Sequence, residues 1–151
     1  MKSMTNDPHE KYMNKCIELA QKAMDMGNPP VGAILVYQDK IIGEGIESVR
    51  TTGDVTHHAE ILAVRDVLMT GHIKHLDQTT MYTTHEPCIM CSYVIRHYRI
   101  PMIVFGVSVD DVGGYSSDLK VLCTNKIVKW GPAPQVLGGV YKDQCMALSS
   151  D

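Results

Sequence analysis

The sequence predicts an α/β fold, a three-layer α-β-α sandwich in which helices cover both faces of a central mixed sheet. The prediction depends on amphipathic helical patterns that alternate along the chain with short apolar runs of strand length. The first two runs are separated only by Gln38-Asp39, which indicates an antiparallel hairpin. Helical segments separate the later strands, and such crossovers favour parallel pairing. We expect a single domain, residues 1–151.

The helices are predicted from apolar side chains spaced three and four residues apart, and the strands from short β-branched and apolar runs. Helices are expected over 8–26, 57–70, 87–98, 118–123 and 140–148. Strands are expected over 31–37, 40–46, 79–83, 102–107 and 135–137. Gly27 and Gly71 end the first two helices, because glycine favours a helix C-terminus. Pro87 begins the third, because proline is favoured in a first turn.

The composition, 44% hydrophobic and 21% charged, is that of a soluble globular protein. Fourteen basic residues against seventeen acidic residues give a formal net charge of −3, which argues against a surface built mainly to hold phosphates. No apolar run approaches the ~20 residues that cross a bilayer. Residues 1–8 lack the apolar core of a signal peptide. We therefore predict a cytoplasmic protein that does not enter a membrane.

The five cysteines do not form the pattern of a secreted disulfide framework, because their number is odd and only one pair is closely spaced. Cys16, Cys123 and Cys145 are scattered, and we expect them to act as small buried apolar residues. The remaining two form the motif Cys88-Ile89-Met90-Cys91 at a predicted helix start. Thiols in a first helical turn have a lowered pKa and favour metal binding.

His58, Cys88 and Cys91 together make a set of three zinc ligands. A zinc ion with three protein ligands keeps a fourth position for water, which is typical of catalytic sites. Glu60 lies two residues after His58, so on a regular helix the two side chains would point roughly 200° apart. Both can face one metal only if the helix begins here, with His58 in a distorted first turn.

Glu60 gives this set of residues a chemical function. Zinc lowers the pKa of its bound water toward ~7. A carboxylate beside the metal would carry protons from the water to a ring nitrogen of the substrate and then to a leaving amine, which suits hydrolysis of an exocyclic amine. Zinc proteases use the motif His-Glu-x-x-His, which the sequence lacks.

Two other interpretations of the cysteine pair are open. A Cys-x-x-Cys motif also occurs as a redox pair of the thioredoxin kind. A closed structural zinc site would take a fourth ligand from His57, His85, Cys123 or Cys145. The combination of His-x-Glu at one helix start with Pro-Cys at the next speaks against the redox pair, and the structural site leaves Glu60 without a purpose beside the metal.

Residues 10–107 resemble the cytidine-deaminase-like superfamily, and within it the branch that contains tRNA adenosine deaminase, guanine deaminase and fungal cytosine deaminase. The motifs that carry the resemblance are Pro30-Val31-Gly32-Ala33, Gly43-Glu44-Gly45, His58-Ala59-Glu60, Thr83-Thr84-His85-Glu86-Pro87-Cys88-Ile89-Met90-Cys91 and Val104-Phe105-Gly106. His-x-Glu followed by Pro-Cys-x-x-Cys is a known signature of zinc nucleobase deaminases.

The resemblance implies a five-stranded sheet sandwiched by helices and a single Zn²⁺ ion in each chain. It implies that His58, Cys88 and Cys91 bind this zinc and that Glu60 is the catalytic proton shuttle. Members commonly form homodimers that pack the metal-bearing helices together, so a homodimer is also implied.

Relatives in this branch usually carry a substrate-binding Asn shortly after the Gly43-Glu44-Gly45 segment, where this chain has Ile46-Glu47-Ser48. If Glu47 takes that role, a pure acceptor replaces an amide that both donates and accepts, and the substrate would present N–H donors to it. The alternative is that Glu47 is a solvated charge at a strand end.

Further substrate contacts are expected at Ala33 and Pro87, within the matching motifs, and at Tyr115. Tyr115 lies with Asp110 and Ser116 in the loop over 108–118, which by the same resemblance covers the substrate. His57 and His85 are expected to orient a zinc ligand or to lie at the surface.

These observations predict a zinc-dependent hydrolytic deaminase that releases ammonia from a small nucleobase or nucleoside, with guanine or another purine favoured. A tRNA-specific adenosine deaminase is the first alternative. It is disfavoured by the negative net charge and by an end at Ser149-Ser150-Asp151 without a basic helix. A cytosine or cytidine deaminase is the second alternative. A structural zinc-binding module is the third, and Glu60 speaks against it.

Overall fold

A computed structural model describes residues 7–148 of the protein. Its helices are α1 (Glu10–Asp25), α2 (Val49–Thr52), α3 (Ala59–Met69), α4 (Ile89–His97) and α5 (Lys142–Ala147). Its strands are β1 (Gly32–Tyr37), β2 (Lys40–Ile46), β3 (Thr80–His85), β4 (Met102–Val107) and β5 (Gln135–Leu137). Short 3-10 helices cover Ile73–Gln78 and Val128–Trp130.

The strands form one mixed sheet in the order β2-β1-β3-β4-β5, which confirms the predicted fold class. β1 pairs antiparallel with both β2 and β3, whereas β3 pairs parallel with β4 and β4 with β5. Gln38 and Asp39 connect the first hairpin with φ angles of 47° and 63°. Positive φ at both central residues is the geometry that matches the twist of a two-residue hairpin.

Helices cover both faces of the sheet. Alternate residues of each strand point to opposite faces, so each strand contributes to both interfaces. Ala33 and Leu35 of β1 belong to a buried apolar cluster that includes residues of α3 and α4. Ile34 and Val36 belong to a second cluster that includes residues of α1 and α5. These two clusters are the two interfaces of the three-layer sandwich.

The carboxyl ends of β2, β3 and β4 lie at one edge of the sheet, because β2 and β3 are both antiparallel to β1, and β4 is parallel to β3. The chain leaves these strands at Ile46, His85 and Val107. The segments that follow therefore meet outside this edge, which is where ligands bind in open α/β sheets.

The structure differs from the predicted elements at two helix starts, at one predicted helix and at one short helix that was not predicted. The second long helix begins at Ala59 instead of 57, and the third begins at Ile89, so Pro87 precedes its first turn. No helix forms over 118–123, where the N–H of Leu122 donates to the carbonyl of Gly114 at 2.9 Å instead of to a carbonyl within the segment. Residues 49–52, within a stretch expected to be irregular, form α2.

The predictions about the signal peptide and the chain's end concern residues 1–6 and 149–151, which lie outside the described residues. None of the helices within 7–148 has the length and apolar character that crossing a membrane requires.

Candidate metal centre and active site

Two helix N-termini position the predicted ligands. His58 stands immediately before α3 with extended backbone angles, φ −71° and ψ 148°, and Cys88 stands immediately before α4 with φ −69° and ψ 175°. Cys91 is the third residue of α4. Because His58 lies outside the helix, its side chain is not forced to the opposite side from Glu60. The sequence predicted that His58 lies in a distorted first turn. In the structure His58 is instead an extended residue directly before a regular helix.

The ligand atoms of His58, Cys88 and Cys91 all lie within 4.8 Å of one another, and no other such group of three occurs in the described part of the chain. His58 Nδ1 is 3.6 Å from Cys88 Sγ and 3.5 Å from Cys91 Sγ. Typical Zn–S and Zn–N bonds at a tetrahedral angle separate sulfur and nitrogen by about 3.6 Å. The donor set and its spacing therefore fit zinc.

Hydrogen bonds among the three side chains shift their pKa values and favour the binding of a cation. The Cys91 thiol and the His58 ring donate hydrogen bonds that lower the pKa of Cys88 to about 4. The same contact with Cys88 raises the pKa of His58 to about 9. The pKa of Cys91 is raised, because its thiol donates to Cys88 and is buried. The lowered pKa of Cys88 favours the thiolate that binds a metal, and a bound metal cation would deprotonate the second thiol.

Glu60, the second residue of α3, is 4% exposed and stands beside this cluster. Burial raises the pKa of its carboxyl group to about 8, and the negative charge of Cys88 adds to the effect. A carboxyl group that titrates near neutrality both accepts and donates protons at physiological pH.

Glu47 is buried, with 6% of its surface exposed, so it is not the solvated charge considered above. Its Oε2 accepts a hydrogen bond from Val49 N–H at 3.2 Å, and the N–H of Ser48 donates to the carbonyl of His57 at 3.0 Å. These bonds hold Glu47 beside the segment that carries His58. Burial raises the pKa of the Glu47 carboxyl group.

Glu86 is a residue for which the sequence predicted no function. It is 2% exposed, and its carboxylate accepts hydrogen bonds from the backbone N–H groups of Val109, Tyr115 and Ser116 at 3.1, 2.9 and 2.8 Å. Two features of the sequence could have indicated this contact. One is an acidic residue directly before the Pro-Cys motif, and the other is a glycine-rich loop whose backbone N–H groups need acceptors.

The remaining predicted substrate contacts differ in accessibility. Tyr115 is 41% exposed and borders a cavity of about 1170 Å³ formed by residues 115–130. Pro87 is buried, and its carbonyl accepts the N–H of Gly114 at 2.9 Å. Ala33 is fully buried in the apolar cluster that also holds Ala59. It lies in the core beneath the site, and its contact with a substrate stays a prediction.

The two flanking histidines lie outside the ligand cluster. His57 Nε2 is 3.1 Å from Asp54 Oδ2, and its Nδ1 is 2.8 Å from Thr52 Oγ1. His85 Nδ1 is 3.1 Å from Thr84 Oγ1, and burial lowers the pKa of the ring. These bonds connect neither ring to a zinc ligand, so the orienting or surface roles stay predictions.

The fold and the site define a class of protein. A three-layer α/β sandwich that brings one histidine, two cysteines and a buried carboxyl group to the carboxyl edge of its sheet has the parts of a zinc-dependent deaminase. Residues 6–107 match the family described as the cytidine and deoxycytidylate deaminase zinc-binding region. The chain belongs to this zinc-binding deaminase family.

Curated relatives include two proteins named tRNA-specific adenosine deaminase 2. The one from Xenopus tropicalis is 33% identical over 145 residues, which are 92% of this chain and 85% of that protein. The one from Danio rerio is 38% identical over 118 residues, 74% of this chain. The match spans 55% of the Danio rerio protein's own length.

Solved structures share the fold. One comes from biochemical and structural studies of A-to-I editing by tRNA:A34 deaminases at the wobble position of transfer RNA. It has a TM-score of 0.82 and 26% identity, and covers 92% of this chain and 99% of its own. Guanine deaminase from Bacillus subtilis has a TM-score of 0.61 and 33% identity, and covers 66% of this chain and 64% of its own.

His58→Ala is expected to weaken zinc binding by more than about 100-fold, because one of three ligands is lost. Metal analysis and competition with a chromogenic chelator measure the effect. His57→Ala is the matched control, because this neighbouring ring bonds to Asp54 and Thr52 outside the cluster. Equal zinc retention by both variants would contradict the assignment.

Proposed function

We propose that the protein is a zinc-dependent hydrolytic deaminase that converts adenosine in tRNA to inosine. The observation that carries the proposal is the 33% identity, across 92% of this chain, with a relative named for that activity. The sequence had favoured a small nucleobase, guanine first, over tRNA. The similarities support the alternative better, so we reverse that order.

The residues of the site suit this reaction. Zinc held by His58, Cys88 and Cys91 supplies an activated water at neutral pH. Glu60 accepts a proton from the water and donates it to a ring nitrogen, and then passes a proton to the departing amine. A carbon–oxygen bond replaces the carbon–nitrogen bond, and the nitrogen leaves as ammonia. Burial of Glu60 excludes bulk water from these transfers.

The net charge of −3 does not exclude RNA binding. Salt screens distant charges, so the phosphates of RNA interact mainly with the basic side chains close to them. Exposed basic side chains lie in or next to the segments that carry the site residues. Arg50 lies in α2 and Arg65 in α3, where it donates to Thr56 Oγ1 at 3.2 Å. Lys120 donates to the carbonyl of Tyr115 at 2.8 Å. These side chains are available to contact phosphates, and their positions along the chain are close to those of the site residues.

Glu47 favours a second candidate, deamination of a free nucleobase. Its carboxylate only accepts hydrogen bonds when ionised, and it accepts one from Val49, which leaves Oε1 for a ligand. Guanine presents a ring N–H and an amino group on one edge, so it offers two donors to a carboxylate. A cytosine-type substrate lacks this pair of donors.

Three further predictions rest on the sequence and its resemblance. They are a single domain over 1–151, a homodimer that packs the metal-bearing helices together, and a location in the cytoplasm.

Glu60→Gln is expected to lower kcat by about 10²–10⁴-fold while zinc content stays unchanged, because the amide cannot move protons. Turnover and metal content are measured on the same preparation. Glu44→Gln, an exposed glutamate of β2, is the control. Loss of zinc together with activity would make Glu60 a ligand and contradict its role as proton shuttle.

A substrate panel tests the proposed function directly. We expect inosine to form in a tRNA substrate, detected by nucleoside mass spectrometry, and no ammonia from guanine, adenine, cytosine or their nucleosides. Ammonia from guanine without inosine in tRNA would replace the proposal with the second candidate. The Glu60→Gln variant serves as the blank for both assays.

Glu47→Asn tests whether this carboxylate selects the substrate. Under the second candidate, in which free bases are turned over, we expect kcat/KM for substrates that present an N–H donor pair to fall about 10-fold relative to those that do not, because the amide is no longer a pure acceptor. Glu44→Asn in β2, three residues before Glu47, is the control. An unchanged order of preference across the panel would contradict the hypothesis.

A further inference from the structure

Glu86 is a buried carboxylate that the deamination chemistry does not use. It follows β3 and comes two residues before Cys88. Within residues 7–148 it takes part in none of the ion pairs. Its hydrogen-bond donors are instead the N–H groups of Val109, Tyr115 and Ser116. Oε1 accepts the first, and Oε2 accepts the other two.

Other backbone bonds join the same two segments. The N–H of Gly114 donates to the carbonyl of Pro87 at 2.9 Å, and the N–H of Ile89 donates to the carbonyl of Val112 at 2.8 Å. Cys88 and Gly113 form an isolated antiparallel bridge. Residues 109–116, which we term the wall segment, are therefore attached directly to the turn that carries a zinc ligand.

The contact is close enough to require glycine at position 113. A Cβ atom there would overlap the Glu86 carboxylate and the carbonyl of Val109. The carboxylate and the glycine thus fit each other, and a side chain at either position that changes the fit would move the wall segment.

At position 86 the carboxylate of glutamate is more suitable than the amide of glutamine. An ionised carboxylate accepts at about four lone-pair sites and donates nothing. Three N–H donors converge on Glu86. Glutamine would turn an NH₂ group toward at least one of them, so that two donors would face each other, and a buried unpaired N–H is costly.

We propose that Glu86 is a positioning residue that fixes the wall segment beside the turn that carries Cys88, so that the backbone of Tyr115 and Ser116 forms a preformed wall of the substrate site. The inference rests on the proposed deaminase site, because it takes the centre at His58, Cys88 and Cys91 as the place of reaction. Glu86 affects substrate binding through the wall segment and does not change the geometry of the metal ligands.

The test uses the zinc-loaded full chain with Glu86→Gln, and Glu44→Gln as the control at an exposed glutamate. Amide hydrogen exchange by NMR is expected to accelerate about 10-fold or more at Val109, Tyr115 or Ser116 in the first variant only. Zinc content and the absorption spectrum of the Co²⁺-substituted protein are expected to stay unchanged. KM is expected to rise about 10-fold with kcat within about 2-fold, the pattern of lost uniform binding.

Gly113→Ala provides an independent perturbation of the same contact. We expect it to raise KM as well, and the two effects to be less than additive in the double variant with Glu86→Gln, because both changes disturb the contact between Glu86 and position 113, while the alanine Cβ also overlaps the carbonyl of Val109. Additive effects would overturn the inference. It would also be overturned by unchanged exchange at the three amides, by an altered Co²⁺ spectrum, or by a fall in kcat with KM unchanged.

The exchange measurement needs no substrate and therefore separates this inference from the proposed function. If wild-type protein forms no inosine in tRNA, the proposed function fails. Exchange still shows whether Glu86 holds the wall segment, and KM is then compared on the free base that the panel identifies.

Discussion

The N-termini of α3 and α4 point toward one small volume beyond the carboxyl edge of the sheet, and the site depends on this convergence. His58 and Cys88 each stand immediately before a first helical turn, where unpaired N–H groups and the helix dipole favour negative charge. β2 lies directly against the start of α3, because a Cβ at Gly45 would overlap the carbonyl of Ala59. A bulkier residue at either position would displace His58 from the cysteines.

The convergence also concentrates acidic groups in a place with little water. Glu47 and Glu60 are buried, and Cys88 holds a negative charge between them and His58. Buried charges of one sign are costly unless a cation neutralises them. A divalent metal at the three ligands reduces that cost, so metal binding and the stability of this edge are coupled. Burial raises the pKa of both carboxyl groups, and the positive charge of His58 partly offsets the rise.

The sequence predicted the ligands and Glu60 correctly as neighbours because their signals are local. A histidine or cysteine at a helix start is visible in a few residues, and two such starts with suitable chemistry indicate one metal. The burial of Glu47 was not visible, since a strand end can face either solvent or a site. Glu86 was missed for a deeper reason. Its partners lie 23 to 30 residues away and are backbone N–H groups, which every sequence supplies.

The match to the deaminase family ends at residue 107, yet Glu86 inside it holds residues 109–116 outside it. A carboxylate that accepts hydrogen bonds from backbone N–H groups does not require particular side chains in the segment that donates them. Gly113 is the exception, because its contact with Glu86 leaves no room for a Cβ. Side chains such as Tyr115 and Ser116 can therefore differ between relatives while the wall keeps its place beside the zinc ligands. This separation explains why similarity over 6–107 establishes the chemistry more firmly than it establishes the substrate.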